Sequence, residues 1–262
     1  MYILLINFMS SYFPIPNNFS ISKLENIFVK CSVQLFNYPN NVTNNALNSS
    51  NKKKDIFFSL YELNNYRWIK RKDKKCEFGE SCLFDREKLD IDPSHSALVI
   101  PSENKNNPNK INILPKPYSL RVDKSPINER ASYNFKLKDV SSSYQGEFPY
   151  ELSLSSKTFF SSDILRTDLD KDTKTYVILM NLNRSSKLKK IHELDIYSSK
   201  NGDLLKKFFV KTNSFNSFLL PKSNLNKQKD NLFLSCKTTS FIPIYINIKT
   251  SKTSFEISAE HT

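Results

Sequence analysis

Glycine is scarce in this sequence: the 262 residues include only Gly79, Gly146 and Gly202, and each stands alone. Phosphate-binding loops, dinucleotide-binding fingerprints and the Gly-x-Ser-x-Gly elbow of hydrolases need clustered glycines, because their backbones turn tightly or approach a ligand closely. None of these motifs occurs in standard form. The sequence therefore argues against nucleotide-dependent chemistry by these routes.

Cysteine is also sparse, and none of the four cysteines forms a Cys-x-x-Cys pair. A zinc ribbon or a thioredoxin-like motif is therefore unsupported. Cys76 and Cys82 flank a short polar loop and could form a disulfide in an exported protein. Cys31 and Cys236 lie in apolar predicted strands, where a free cysteine usually acts as a small hydrophobic residue.

Long apolar runs are absent as well. The stretch Tyr2–Met9 is apolar, but it is far shorter than a membrane-spanning helix and lacks both a preceding basic segment and a small-residue cleavage site. We expect a first strand or a docked arm here rather than a signal peptide. The sequence predicts a soluble or peripheral protein, with a cytoplasmic or peripheral location favoured slightly over export; the compartment itself stays unknown.

The three histidines are too far apart to form a ligand pair, but His95 follows two carboxylates in the segment LDIDPSH. Carboxylates and imidazole together can bind a metal ion, whereas Pro93 favours a simple turn. An enzyme that uses Asp90, Asp92 or His95 with a metal therefore remains an alternative. We predict no metal site, no cofactor and no catalytic residues.

A second acidic segment, TDLDKDTK, resembles the start of a calcium-binding loop through Asp168, Asp170 and Asp172. The glycine needed for the sharp turn is missing, and Leu179 stands where the bidentate glutamate belongs. Aspartate also favours turns. We therefore interpret this segment as a connection between strands.

Aromatic residues are plentiful, with 20 phenylalanines and 12 tyrosines, and they suit the pleated, half-buried surface of a sheet. Short apolar runs recur about every ten residues and are separated by turn-forming residues, which favours a sandwich or a barrel. We predict an all-β protein of two antiparallel β-sandwich-like modules, of which the C-terminal one is better defined.

The clearest strand pattern lies in Thr175–Val210. Tyr176–Leu182 is apolar almost throughout, which indicates a strand buried on both faces. Ile191–Tyr197 and Leu204–Val210 follow, joined by Asn201-Gly202, a strong hairpin signal because a type I′ turn needs positive φ at both central residues. The pattern predicts three consecutive antiparallel strands.

Proline-rich and polar segments divide the chain. We predict an apolar N-terminal arm over residues 1–22, an N-terminal β module with long polar loops over 23–122, and a C-terminal β-sandwich module over 131–262. The boundary falls within Pro115–Arg130, because proline lacks the amide donor that a strand ladder requires.

The formal net charge is +13, which suggests an anionic partner such as nucleic acid, an acidic glycan or a lipid headgroup. Lysine far outnumbers arginine, however, and arginine makes the better forked contacts with phosphate. An AT-rich genome would produce the same composition without selection for binding. Both explanations stay open.

The most specific positive feature is the segment YRWIKR, in which aromatic and basic residues alternate. Aromatic rings beside cations can stack on sugars or bases. Alternatively, the rings face the core while the cations extend into solvent. The candidate ligand-binding residues are Tyr66, Arg67, Trp68, Lys70 and Arg71.

A second basic region surrounds the hairpin of the C-terminal half. Its candidate residues are Arg184, Lys187, Lys189, Lys190, Lys206 and Lys207. A charged sheet edge also protects against edge-to-edge aggregation, so this region has a structural explanation too.

Together these features predict a non-catalytic binding or interaction protein that recognises cell-envelope carbohydrate or a protein partner. This hypothesis rests on analogy at the level of the fold. The alternatives are binding of nucleic acid or another polyanion through the basic face, and a carboxylate- or metal-dependent enzyme. The oligomeric state is not set by the sequence.

Overall fold

The computed structural model describes residues 10–22, 26–37, 55–103, 108–118, 131–154, 160–164, 172–221, 232–251 and 254–260. Over these residues the protein is all-β, with nineteen strands and two short 3₁₀ turns, Arg86–Lys88 and Tyr150–Ser153. Within this part of the chain, no helix is both long and apolar enough to cross a membrane.

The strands of the first half are β1 (Ser11–Ile15), β2 (Phe19–Ser22), β3 (Ile27–Phe36), β4 (Ile56–Asn64), β5 (Arg67–Cys76), β6 (Ser81–Asp85), β7 (Ala97–Ser102), β8 (Lys110–Ile111), β9 (Ala131–Leu137), β10 (Val140–Gly146) and β11 (Phe148–Pro149). Those of the second half are β12 (Phe160–Ile164), β13 (Thr173–Asn181), β14 (Ile191–Ser198), β15 (Leu204–Lys211), β16 (Ser214–Leu219), β17 (Leu232–Cys236), β18 (Ile242–Thr250) and β19 (Phe255–Glu260).

These strands form four antiparallel sheets. Sheet 1 has the order β11-β1-β7-β4-β5-β8, and sheet 2 has the order β10-β9-β3-β2, with β6 also pairing with β3. Sheet 3 has the order β12-β17-β14-β15, and sheet 4 has the order β16-β13-β18-β19. The all-β, sandwich-like fold predicted from the sequence is confirmed.

The larger core combines buried residues of sheets 1 and 2 with residues of sheet 4. Strand β9 shows why the chain folds this way: Tyr133 and Phe135 are buried, while Ser132 and Asn134 between them are half-buried on the other face. Successive side chains of a strand point to opposite faces, so this alternation presents one apolar surface. The ring of Phe58 on β4 meets that of Phe84 on β6 edge-on, with centroids 6.4 Å apart.

Strand β13 of sheet 4 is buried on both faces. On β13, Val177 and Leu179 pack into a second core against sheet 3, while Tyr176 and Ile178 belong to the larger core. The apolar run Tyr176–Leu182 therefore predicted a two-sided buried strand correctly, because a strand covered on both faces cannot alternate with polar residues.

The predicted pairing of three consecutive strands in Thr175–Val210 is wrong in one respect. Strands β14 and β15 pair with each other, but β13 pairs with β16 and β18 in the other sheet. The chain thus crosses between sheets after β13. The two-sided burial of β13 explains its place in the central layer, whereas β14 alternates and covers one side of the core.

Two strands of residues 131–149 pair with strands of residues 11–36. Strand β9 pairs with β3 and β11 pairs with β1, although the sequence prediction assigned these residues to the C-terminal module. Residues 11–22 of the predicted arm form β1 and β2, which lie in sheets 1 and 2. The composition of a linker does not specify which distant strand its neighbours pair with. The remaining arm residues, 1–9, lie outside the described residues.

Both predicted turns occur, with altered geometry. The turn between β4 and β5 consists of Asn65 and Tyr66, both with positive φ (47° and 61°), rather than Asn64-Asn65. The loop between β14 and β15 closes through a bond from the Gly202 amide to the Ser198 carbonyl (3.0 Å), and Gly202 has a φ of 72°. Asn201 does not share the positive φ, so this loop is longer than the predicted two-residue turn.

Candidate functional site

Trp68 does not belong to a surface site. Its side chain is 0% exposed and belongs to the larger core, and its backbone pairs with Leu63 and Ile111. The candidate role of Trp68 in ligand binding is therefore corrected in favour of the alternative, a ring that faces the core. Its large apolar ring occupies the inward position of β5 and the adjacent Arg67 is exposed, as the alternation of a strand requires.

Tyr66 does reach the surface, because it lies in the turn and not in the strand. Its side chain is 54% exposed, and the Lys189 Nζ lies 3.6 Å from the centroid of its ring. An ammonium group over an aromatic face is attracted by the negative charge density of the ring. One residue from each of the two predicted sets thus meets the other.

Two of the three cations of the first set, Lys70 and Arg71, have partners on the protein, and the third, Arg67, is exposed. Lys70 forms an ion pair with Asp73 (2.9 Å), and Arg71 pairs with Glu62 (Nε–Oε2 3.0 Å) and donates to the Asp90 carbonyl. The charged groups of Lys70 and Arg71 are therefore engaged by other residues of the protein. The predicted five-residue set therefore contributes only Tyr66 to the candidate site described next.

Around Tyr66 the surface forms a cavity of about 490 Å³, which we call the Tyr66 groove. Four segments line it: the turn between β4 and β5, residues 94–96 before β7, residues 189–191 at the start of β14, and residues 211–214 between β15 and β16. Three lysines, Lys189, Lys190 and Lys211, contribute exposed side chains to this lining.

Backbone and side-chain hydrogen bonds hold these segments together. The Ser186 hydroxyl donates to the Tyr66 carbonyl (2.6 Å), and the Ser96 hydroxyl donates to the Asn213 carbonyl. The Asn213 side chain accepts from the Asn183 amide (2.7 Å) and donates to the Ser185 carbonyl (3.1 Å). The walls of the groove therefore come from both halves of the chain and are tied to each other.

His95 lies at the edge of the groove above a buried carboxylate. Its Nδ1 bonds Oε1 of Glu62, whose side chain is 3% exposed. The Arg86 guanidinium donates to the carbonyls of His95 (2.8 Å) and Asp92 (3.0 Å), and its burial lowers its pKa. Glu62 thus orients the imidazole from beneath, and Arg86 fixes the backbone that carries it.

His192 lies beneath the groove and has a structural environment. Its Nδ1 is 2.8 Å from the Thr238 hydroxyl and its Nε2 is 3.0 Å from the Thr212 hydroxyl. Burial lowers its pKa, and the neighbouring charge of Lys190 lowers it further. The interpretation of His192 as a residue on the face of a strand fits this position.

The second predicted set does not form one continuous basic patch. Arg184 donates to the Tyr150 hydroxyl (2.8 Å), and Lys207 pairs with Glu193 and Asp195. Lys206 lies over the ring of Phe208 (4.9 Å), away from the groove. Lys187 is exposed and does not line the groove. Only Lys189 and Lys190 of the set line it.

No group of three or more possible metal ligands occurs among the described residues. Asp92 accepts from the amide and hydroxyl of Ser94 (2.8 and 2.6 Å), which closes a local turn as Pro93 suggested. Those bonds lower the pKa of Asp92. Asp168 and Asp170 of the possible calcium loop lie outside the described residues.

Sequence reasoning missed Lys211 and the turn residue Asn213, and it considered His95 only as a metal ligand. No local motif marks these residues, because they come together only in the folded protein, at the connection between β15 of sheet 3 and β16 of sheet 4. Asn213 has a positive φ (55°), which asparagine tolerates better than most residues. The asparagine itself was therefore the one available sequence signal of a tight turn.

Fold and site together define a β-sandwich with a cationic, partly aromatic groove. Comparisons with protein-family models, with curated proteins and with solved structures found no match to this chain. Any function for the groove must therefore be argued from its geometry.

Proposed function

We propose that this protein is a non-catalytic binding protein that recognises an acidic carbohydrate in the Tyr66 groove. The observation that carries this proposal is the placement of Lys189 over the exposed ring of Tyr66, with Lys190 and Lys211 in the same groove. Cell-envelope carbohydrate is the class of ligand expected from the sequence, and the lysines add the requirement for negative charge.

The ligand should be negatively charged because the ammonium groups of the groove, and not an open aromatic face, are available for binding. Neutral sugars bind well to an open aromatic face, but Trp68 is buried and Lys189 occupies one face of the Tyr66 ring. A carboxylate or sulfate on a sugar would instead contact the ammonium groups directly. Charge-assisted hydrogen bonds of this kind are about twice as strong as neutral ones.

Hydroxyl and amide groups in the lining favour a sugar over a nucleic acid. Ser94, Ser214 and Asn65 line the groove beside the three lysines, and the lining includes a single aromatic residue and no arginine. Binding of single strands typically uses several aromatic rings in succession, and arginine is the preferred residue for phosphate.

Nucleic acid is the second candidate, because the net charge of +13 would attract any polyanion. The enzyme alternative is carried by His95, whose imidazole is oriented by the buried carboxylate of Glu62, as the base of many catalytic sites is. Loss of a measured hydrolytic activity in His95→Gln would favour that alternative.

The test is a binding titration with three labelled probes: an oligogalacturonate as the acidic glycan, a dextran oligosaccharide of similar length as the neutral glycan, and a single-stranded oligonucleotide. Each is measured at low and high salt, since exposed charges are screened beyond about 10 Å at 0.1 M salt. We expect the oligogalacturonate to bind best and to weaken with salt.

Lys189→Glu and Tyr66→Ala should each weaken oligogalacturonate binding by about tenfold, which corresponds to about 1.4 kcal/mol. Lys187→Glu is the matched control, because it makes the same charge change at an exposed lysine outside the groove. Equal losses in Lys187→Glu and Lys189→Glu would contradict a localised site. Tighter binding of the oligonucleotide would favour the second candidate.

A further inference from the structure

A second, larger cleft of about 930 Å³ shares no lining residue with the Tyr66 groove. It lies between β2 and β3 of sheet 2 and strands β13, β18 and β19 of sheet 4. Its volume falls within the range of about 300–1,000 Å³ that is typical of sites for small ligands.

Part of the wall of this cleft is apolar. Its lining includes Ile21, Ile27, Phe28, Tyr176, Ile248 and Phe255. Phe28 is 43% exposed although it is a large aromatic residue, and it occupies an outward position of β3 beside the exposed Lys30. Outward aromatic side chains that meet an apolar cleft mark an interaction site more often than a single scattered hydrophobic residue does.

Three lysines line the same cleft. Lys30 is paired with Glu87 (2.9 Å), but among the described residues no carboxylate lies within ion-pair distance of Lys138 or Lys174. Lys138 lies in the turn between β9 and β10, and its Nζ is 4.2 Å from the centroid of the Phe255 ring. The cleft therefore combines hydrocarbon surface with uncompensated positive charge.

We propose that this cleft binds an anionic amphiphile: a single alkyl chain that carries a carboxylate or phosphate head. The chain would lie along the isoleucine and aromatic wall, where each buried methylene is favourable. The head would contact Lys138 and Lys174. Unsubstituted sugars lack the alkyl chain, and neutral lipids lack the charge that these two lysines complement.

Equilibrium dialysis of the full chain tests this inference with three labelled probes below their aggregation concentrations: palmitate, palmitoyl lysophosphatidate and monopalmitoylglycerol. We expect both anionic probes to bind more tightly than the neutral one. The tighter of the two anionic probes identifies the head group.

Two variants locate the site. Phe28→Ser should weaken palmitate binding by about tenfold, and Lys174→Glu should weaken the anionic probes while sparing the neutral one. The matched controls are Phe209→Ser, at a phenylalanine that is 69% exposed on β15, and Lys206→Glu. Both control sites lie outside the cleft.

The proposal is overturned if none of the probes binds, if the neutral probe binds as tightly as palmitate, or if the controls lose as much affinity as the two cleft variants. Circular dichroism confirms that each variant is folded before its affinity is compared. Tyr66→Ala should leave palmitate binding unchanged, so the outcome here is independent of the acidic-carbohydrate groove.

Discussion

Lys189 and Tyr66 come from different halves of the chain, yet the ammonium group of one lies 3.6 Å from the ring centroid of the other. The hydrogen bond from the Ser186 hydroxyl to the Tyr66 carbonyl holds the two segments at this distance. The contact therefore joins the turn of sheet 1 to the connection that enters sheet 3, and it lies in the wall of the groove.

A double-mutant cycle measures how much this contact stabilises the fold. Tyr66→Ala and Lys189→Ala together should destabilise the protein by about 0.5 kcal/mol less than the sum of the single changes, which is typical of an exposed cation–π pair. Urea denaturation of the four proteins gives this coupling energy. Lys187→Ala in place of Lys189→Ala is the control, and coupling of the same size there would contradict a specific contact.

Glu62 should be the most sensitive charged residue of the N-terminal half. It is buried, it contacts Arg71 and His95, and its charge acts on the buried guanidinium of Arg86. Glu62→Gln removes this charge, and we expect the free energy of unfolding to fall by about 2–4 kcal/mol. Chemical denaturation measures the loss.

The control for Glu62 is Glu193→Gln, which also removes a strand carboxylate that is paired with a cation. Glu193 and Lys207 are both about half exposed, so water and salt screen their attraction. We expect no measurable change in stability for this variant. Equal losses at Glu62 and Glu193 would show that burial does not set the cost.

The fold class was accessible to sequence reasoning because strand signals are local. The apolar run of β13 and the alternation of β14 can each be recognised from consecutive residues, and both strands occur where they were predicted. Sheet membership was not accessible. Whether β9 pairs with β3 or with a strand of the second half depends on contacts between residues that are far apart in sequence.

The candidate site was only partly accessible for the same reason. Tyr66 and Lys189 were each identified, but nothing local indicated that they meet. Trp68 was left with two possible roles, ligand stacking and core packing, because a strand pattern gives the alternation of its faces and not which face is inward. The turn consists of Asn65 and Tyr66, one residue later than predicted, so Tyr66 lies in the turn at the surface and not in the strand.

Native thiols should resist alkylation. All four cysteines are buried free thiols, and burial together with a hydrogen bond to Cys82 raises the pKa of Cys76 to about 12. At pH 8 only about one Cys76 thiol in ten thousand would be a thiolate, which is the reactive form. We expect mass spectrometry to find almost no iodoacetamide labelling of the folded protein.

In guanidinium chloride the same reagent should label all four cysteines, which serves as the control for reagent quality. Rapid labelling of the native protein would mean that the strand ends near the Cys76–Cys82 pair open frequently. The disulfide expected between these two residues in an oxidising compartment stays a prediction. The Cys82 thiol donates to the carbonyl of Lys75 (3.8 Å), the residue before Cys76, so the two cysteines are neighbours.

His192 should make the stability of the protein depend on pH. Because burial and Lys190 lower its pKa in the folded state, the unfolded chain binds a proton more readily, and the free energy of unfolding should fall as the pH drops below about 6.5. Thermal denaturation between pH 7.5 and pH 5 should show that the stability of His192→Gln depends less steeply on pH than that of the unmodified protein.

Lys190→Gln should give an intermediate slope of stability against pH, since it removes only the smaller of the two causes of the lowered pKa. An unchanged slope in His192→Gln would mean that the imidazole is protonated equally in both states, in conflict with its burial against Thr212 and Thr238.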